Sequence, residues 1–410
     1  MSITYLLYFI FSPIIFIILI ISSLFNKKIY KHLIKQKKTL QNVLKKNLKD
    51  PIIIHAASAG EFEQIKPLLK NRNKIYPPII QTFFSPTIYN KEKNSTLFDT
   101  CCYHPFDFPW SAYNFFKLLK PKKYIINRHD IWPHHIVFAK LLKIEIIYIN
   151  ANLKEDSSRF NFLLKYFNKW IFKKINHIIV PSTEIKNRFT DIFQIQNISI
   201  LQDTRFMQIQ DRIEKNSEIN FLNNSPYERT IILGSIDEHD WNIIYHSIKN
   251  KTKLDSTLII VPHEINNTFI NKIYQDIEEL NLSVKRFTDM NSNDSLDCII
   301  YNKIGDLLDI YKYGNLAYVG CGFTKGVHNI LEPALQGCYV SHGPNISLLD
   351  EALKLKNNNL SKVINTSKDF TDFINITDTT FLTDNKNKVF DLFKIKTDDF
   401  EKIKNIIYEA

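Results

Sequence analysis

Between residues 51 and 345 the chain alternates short apolar runs with longer segments in which apolar positions return every three or four residues. The apolar runs of the first half are Ile52–Ile54, Ile79–Phe83, Tyr124–Ile126, Ile144–Ile149 and His177–Val180, with helical patterns between them such as 110–119 and 160–174. A polar stretch over 211–228 interrupts the alternation. A second series then runs through Ile231–Leu233, Leu258–Val261, Cys298–Tyr301, Leu316–Val319 and Tyr339–Val340. Strands alternating with helices predict parallel sheets covered on both faces. Two such series predict an α/β chain of two doubly wound, Rossmann-like domains facing a cleft: an N-terminal domain over 51–210, a linker over 211–228 and a C-terminal domain over 229–410. In open parallel sheets ligands bind beyond the carboxyl ends of the strands, so chemistry is expected in the residues that follow each run.

Ahead of the first strand, Ile3 to Phe25 holds no charged residue and is almost wholly apolar. A helix of that length reaches about 35 Å, enough to cross a bilayer with some tilt. A cleaved signal peptide fits less well, because no basic segment precedes the run and no small-residue cleavage site follows it. The segment 26–50 carries nine lysines and one acid, Asp50, so it supplies +8 of the net charge of +11. The positive-inside rule then predicts a single N-terminal pass through the inner membrane, with both domains on the cytoplasmic side. The same lysines would be drawn to anionic lipid headgroups, although on its own the segment also reads as a solvated charged helix. The remaining +3 is spread thinly, and no aromatic residues interleave with the lysines as a base-stacking surface requires, so nucleic acid is not an expected partner. Five cysteines (101, 102, 298, 321 and 338) include no C-x-x-C pair, which points away from a zinc site or a disulfide framework.

Nearly every strand is followed by polar residues. After the first run comes His55-Ala-Ala-Ser58-Ala-Gly-Glu61, whose Ser58 and Glu61 fit a helix capping box. Arg128, His129, Asp130 and Trp132 follow the third run, and Arg205 lies near the end of the first series. In the second series the run ends carry Gly234-Ser235, Pro262-His263-Glu264 and Ile304-Gly305-Asp306. The densest stretch is 314–344. It reads as a strand, a loop with Gly320, Gly322, Lys325 and Gly326, then His328 and Asn329 ahead of a short helix containing Glu332 and ending at Gly337. Asn329 can cap that helix. Strand, glycine loop and helix start make a ready anion site, with an ordinary tight turn as the alternative. The spacing G-x-G-x-x-x-G departs from the dinucleotide fingerprint, whereas an imidazole, an amide and a carboxylate around one helix start suit a ribose and a phosphate.

Taken in order, the motifs resemble the 3-deoxy-D-manno-octulosonic acid (Kdo) transferases of lipopolysaccharide synthesis, most nearly their Bacteroidetes branch. They are HAASAGE at 55–61, D-x-W-P at 130–133, NANL and SSR within 150–159, DTRF at 203–206, GS at 234–235, VPHE at 261–264, IGDLL at 304–308 and AYVGCGFTKGVHNILEPALQG at 317–337. The resemblance implies a membrane-anchored, inverting glycosyltransferase of the GT-B fold. It would move Kdo from CMP-Kdo to a lipid A precursor (lipid IVA), with the acceptor on the N-terminal domain and the donor on the C-terminal one. It implies Glu61 as general base and Arg205 as a cation that stabilises the transition state. Pro262, His263, Ile304, Gly305, Asp306, Asn329, Ile330, Leu331 and Glu332 match positions that contact CMP. Ser58, Asp130, Ser235, Lys325 and His328 are weaker candidates beside them.

That chemistry passes through an oxocarbenium-like state and needs a base on the nucleophile and positive charge on the departing phosphate. With a single phosphate in the donor and no Asp-x-Asp in the chain, neither a metal nor another cofactor is expected. The start of a helix favours the carboxylate of Glu61 and so weakens it as a base; burial or a neighbouring acid would have to offset this. Three departures stand out: Arg128 where many relatives carry an acid, His263 in place of a common arginine, and Met207 where aspartate is frequent. Two other readings fit the same pattern, a GT-B transferase using a different sugar nucleotide and a non-catalytic homologue that only binds.

Overall fold

The computed structural model describes residues 2–70, 72, 75–154, 157–215, 219, 226–249, 254–291, 294–346 and 349–409. The chain divides into two compact units. One comprises Met1–Gln210 with Ile395–Ala410, the other Asp211–Lys394. Half of the expected linker, 216–218 and 220–225, lies outside the described residues, and its first residues continue the helix Arg205–Glu214 instead of opening a loop.

In the first unit the strands are β1 (Ile52–Ala56), β2 (Ile79–Phe83), β3 (Thr100–Tyr103), β4 (Lys123–Asn127), β5 (Glu145–Ile149), β6 (His177–Val180) and β7 (Ile198–Ile200). They form one parallel sheet in the order β3-β2-β1-β4-β5-β6-β7. The second unit holds β8 (Thr230–Ile236), β9 (Thr257–Pro262), β10 (Val284–Arg286), β11 (Cys298–Ile300), β12 (Leu316–Val319), β13 (Tyr339–His342) and β14 (Ser361–Val363), ordered β10-β11-β9-β8-β12-β13-β14. Both sheets are doubly wound. The order reverses between β1 and β4 and between β8 and β12, and these switch points are where such sheets bind ligands. The apolar runs account for every inner strand. The four strands absent from the sequence pattern, β3, β7, β10 and β14, are the four sheet edges. Each is short and broken by polar residues (TCCY, ISI, VKR and SKV), so none makes the continuous apolar run that marks an inner parallel strand.

The C-terminal boundary differs from expectation: the last helix, Thr397–Tyr408, belongs to the first unit and not to the second domain. Phe400, Ile403, Ile407 and Tyr408 are buried in one apolar cluster with Phe62, Ile65 and Leu68 of the helix Ala59–Leu69. Tyr408 Oη donates to the Leu68 carbonyl at 2.8 Å, and buried Lys123 donates to the Ile406 and Glu409 carbonyls at 2.8 and 2.5 Å. An ammonium on the last carbonyls of a helix complements its dipole. The helix that carries Glu61 is therefore backed by the end of the chain.

The N-terminal helix Ile3–Phe25 is long and apolar enough to cross a membrane, yet one stripe of it is docked on the first unit. Tyr5 Oη and Ser12 Oγ lie 3.0 and 3.1 Å from the two ring nitrogens of buried His134, and Tyr8 Oη donates to Asp107 at 3.1 Å. Phe16 packs edge-on against Phe108 and Trp110. Ile10, Ile14, Ile17, Ile18, Ile21 and Leu24 on other faces stay exposed. The lysine-rich segment is a second helix, Lys27–Leu44, capped by Asn26 and laid on β3 through His32, Thr39 and Val43. Thr39 Oγ1 accepts the Tyr103 N–H at 3.2 Å, so the helix covers a sheet edge.

Candidate active site

In the first unit β1 ends at Ala56 and the chain turns into the helix Ala59–Leu69. Ser58 Oγ accepts the Glu61 N–H at 3.4 Å, while Glu61 Oε2 accepts the Ala57 N–H at 2.7 Å. The capping pair is real, but the carboxylate closes on Ala57, one residue before the usual partner. Glu61 is buried, with 9% of its surface exposed. Burial first, then the negative charge of Asp130, push its carboxyl above the ordinary glutamate range, against the N–H bonds that favour the anion. The weakening expected from the helix start is thus outweighed. Asp130 moves the other way. Its own burial works upward, but His55 Nε2 at 3.3 Å and the Trp132 indole N–H, also at 3.3 Å, hold it below the usual carboxylate range. His55 is fully buried on β1 and reaches the Thr82 hydroxyl of β2 at 2.9 Å. Two carboxyls driven apart in this way divide the roles of base and permanent anion.

A buried polar chain joins this helix to Arg205. Asn127 Nδ2 donates to the Glu61 carbonyl at 2.9 Å, and Asn150 Nδ2 donates to Asn127 Oδ1 at 2.8 Å. Asn150 then exchanges two bonds with Thr204, at 2.9 and 3.1 Å. Arg205 follows and pairs with Asp203 at 3.4 Å. Gln64, one turn after Glu61 and 3% exposed, faces two guanidinium groups; with its amide assigned so that the oxygen points at them, it accepts from Arg205 Nε at 3.3 Å and from Arg128. Sequence reading missed Gln64 and Asn127. For Gln64 the available signal was its i+3 spacing from Glu61 on one helix face.

The candidates of the second unit fall into two groups. In one, Arg212 binds the Gly305 carbonyl at 3.2 Å and lies 3.7 Å from Glu332 Oε1. Asp306 accepts the Tyr301 hydroxyl at 2.6 Å, and Gln336 Nε2 donates to the Leu308 carbonyl at 3.1 Å, tying 304–308 to the helix Leu331–Gln336. Asn329 Oδ1 caps that helix, accepting from Leu331 and Glu332 N–H at 3.1 and 3.4 Å. Its amide oxygen is engaged by the helix, so a phosphate at this helix start would have to be met by Nδ2, the donor of the amide. Gly337, at φ +95°, ends the helix as the sequence predicts. Ile330 and Leu331 are core residues at 1% exposure, so only their backbone can meet a ligand, whereas Ile304 is 86% exposed. Arg212, which joins the separate motifs, carries no sequence signal.

The other group surrounds a cavity of about 180 Å³ whose lining includes Asp237, His263, Glu264, Cys321 and Lys325. Pro262 ends β9 beside it, and His263 stacks on His328 with centroids 4.4 Å apart. Ser235, at φ +54°, directs its carbonyl into the glycine loop. A Cβ at Gly320 would come within 2.3 Å of that oxygen, which is why glycine is needed there. Asp240, fully buried, accepts from Tyr318 Oη at 2.6 Å and the Cys321 N–H at 2.7 Å, and burial raises its carboxyl to about 6.

Residues 28–208 match the family model described as 3-deoxy-D-manno-octulosonic-acid transferase (kdotransferase). The 3-deoxy-D-manno-octulosonic acid transferase of Aquifex aeolicus is 29% identical over 304 residues, covering 73% of this chain and 77% of that one. Its counterpart from Rickettsia bellii is 26% identical over 376 residues, covering 90% and 86%. Among solved structures, a glycosyltransferase from Rickettsia africae superposes with a TM-score of 0.54 at 11% identity, over 88% of this chain and 98% of that one. That last likeness is one of fold, the two-domain GT-B architecture.

Proposed function

We propose, for a chain that belongs to the Kdo transferase family and is a glycosyltransferase, that it moves Kdo from CMP-Kdo to a lipid A precursor of the lipid IVA type. The observation that carries this reading is the environment of Glu61: a buried carboxyl, raised by its surroundings and set beside a permanently ionised Asp130. Such a group can take the proton from an acceptor hydroxyl as the hydroxyl attacks the anomeric carbon. Arg205, held by Asp203 and Gln64, supplies positive charge to the departing phosphate. On the second unit, Glu332 is positioned by Arg212 to accept from ribose hydroxyls, and the backbone at 304–306 and 329–332 contacts the nucleotide. No step requires a metal. The test is the purified full-length protein with CMP-Kdo and a tetraacylated lipid A precursor, products read by mass. An acceptor heavier by one or more Kdo units with release of CMP is the expected result. Turnover with UDP-sugars alone would assign a different donor, and tight CMP binding without turnover would make the chain a binding protein.

We further propose that the helix Ile3–Phe25 attaches the chain to the membrane lying in its plane, in place of the crossing expected from its length. The docked residues Tyr5, Tyr8 and Ser12 lie roughly 20–30 Å along the helix from Phe25, so a crossing helix would draw Asp107 and His134 deep into the bilayer with them. An in-plane helix buries its exposed apolar faces in the interface and keeps the docked stripe. The five native cysteines are all buried, so a thiol introduced as Ser2→Cys reports its own side of the membrane. Labelling by an impermeant maleimide from the cytoplasmic face supports the in-plane helix; labelling only from the opposite face restores the single pass.

A further inference from the structure

Three metal-ligating atoms meet in the second unit beside the 180 Å³ cavity. A ring nitrogen of His263, the sulfur of Cys321 and a ring nitrogen of His328 all lie within 4.8 Å of one another. His263 follows β9 and the other two follow β12, so no local spacing announces the cluster. Nε2 of His328 is buried without a hydrogen-bond partner, a costly state that calls for an occupant. The thiol is aimed by a left-handed backbone, φ +63° at Cys321, and the close approach of Gly320 to Ser235 fixes that loop. Negative charge stands behind the sulfur: one oxygen each of Asp237 and Asp240 lies within 4.8 Å of it. Glu238 and Glu264 line the same cavity, with Lys325 as the opposing charge among the described lining residues.

We propose that His263, Cys321 and His328 form a three-ligand site for a borderline-soft divalent metal ion of the zinc class, its fourth position open to the cavity. Two imidazoles and a thiolate select such ions over magnesium or calcium, which prefer oxygen ligands. Zinc holds nitrogen at about 2.0 Å and sulfur at about 2.3 Å, which sets ligand atoms roughly 3.5 Å apart. The three ligand atoms, now within 4.8 Å of one another, would close on that separation when an ion binds. Three protein ligands with one open position is the pattern of sites that admit water or an exogenous oxyanion. If the donor reading holds, an ion there also supplies the fixed positive charge that relatives place on an arginine at the position of His263. That clause rests on the proposed function, whereas the site itself does not.

The probe is cobalt(II), titrated spectroscopically into the metal-stripped full-length protein with no nucleotide present. Saturation at one ion per chain is expected, with the visible bands of a tetrahedral ion and a near-ultraviolet sulfur-to-cobalt charge-transfer band, both bleached by zinc. Cys321→Ser, checked for native circular dichroism, should lose the charge-transfer band and bind at least about tenfold more weakly, more than removing an outer-shell partner costs at the least. Cys338→Ser, at a buried thiol elsewhere in the unit, should keep it. A wild-type titration without the charge-transfer band, or a band that survives in Cys321→Ser, overturns the site. Neither result depends on sugar transfer, so failure here leaves the transferase reading intact.

Discussion

The side-chain amide of Gln64 sits one helical turn beyond Glu61 and, assigned with its oxygen toward Arg205 Nε 3.3 Å away, lets one helix present the candidate base and steady the candidate cation. Replacing Gln64 by leucine keeps the apolar stem and removes one acceptor from the guanidinium, which keeps its pairing with Asp203. A lost hydrogen bond to a charged group is worth about 1–3 kcal/mol. The expected outcome is a fall in kcat of roughly ten- to a hundredfold, read in steady-state kinetics, with CMP affinity unchanged in calorimetry. Equal loss in kcat and in CMP affinity would mean general unfolding of the site.

Glu61→Gln removes the proton acceptor but leaves an oxygen that can take the Ala57 N–H. The fold should survive, and transfer should drop by a factor on the order of 10²–10⁴. Ser58→Ala is the converse change. It removes the 3.4 Å cap on the Glu61 N–H and should cost about 1 kcal/mol in a denaturant melt while sparing most activity. More than about a tenth of wild-type turnover in Glu61→Gln, short of the range expected for a general base, would return the residue to capping alone.

The pH profile tests the relation between the two carboxyls. A base must be ionised, so kcat/KM should fall as pH drops through the raised Glu61 pKa, above the ordinary 4.5. Burial is the larger cause of that rise and the Asp130 charge the second. Asp130→Asn removes the charge, lowers the Glu61 pKa and should move the acid limb to lower pH without abolishing it. An acid limb that stays in place, or moves up, would show that another group sets it.

Glu332→Ala should weaken CMP binding in calorimetry by about 1–3 kcal/mol, the cost of a lost charged hydrogen bond. Arg212→Ala should act in the same direction but less, because its 3.7 Å ion pair with Glu332 is partly exposed and such pairs contribute about 1 kcal/mol or less. Unchanged CMP affinity in Glu332→Ala would move the nucleotide away from this helix.

Deleting residues 2–25 should leave a protein that binds anionic vesicles through the lysines at 27–49 and is released by added salt, since exposed charges are screened. Equal binding to neutral and anionic vesicles in a flotation assay would remove the electrostatic part of the attachment.

What the sequence determined by itself is local and periodic. Apolar runs such as Ile144–Ile149 and Leu316–Val319 mark strands buried on both faces, because inner strands of parallel sheets carry near-continuous apolar runs. The strand-end motifs sit where alternation places them; Asn329 caps its helix with its side chain, and Gly337 ends it through a left-handed backbone that glycine adopts freely. The edge strands β3, β7, β10 and β14 escaped because polar residues break each of them, leaving no continuous apolar run. Tertiary structure decided whatever joins residues distant in sequence. It placed Thr397–Tyr408 behind the Glu61 helix, because Phe400, Ile403 and Ile407 needed an apolar partner and that helix offered Phe62 and Ile65. It fixed the direction of the Glu61 shift, since burial and the charge of Asp130, 69 positions along the chain, exist only after folding. It gathered His263 with Cys321 and His328, which follow β9 and β12, strands that flank β8 in the sheet though they are far apart in the chain, and it set Arg212 of the helix Arg205–Glu214 against Glu332 of the helix Leu331–Gln336.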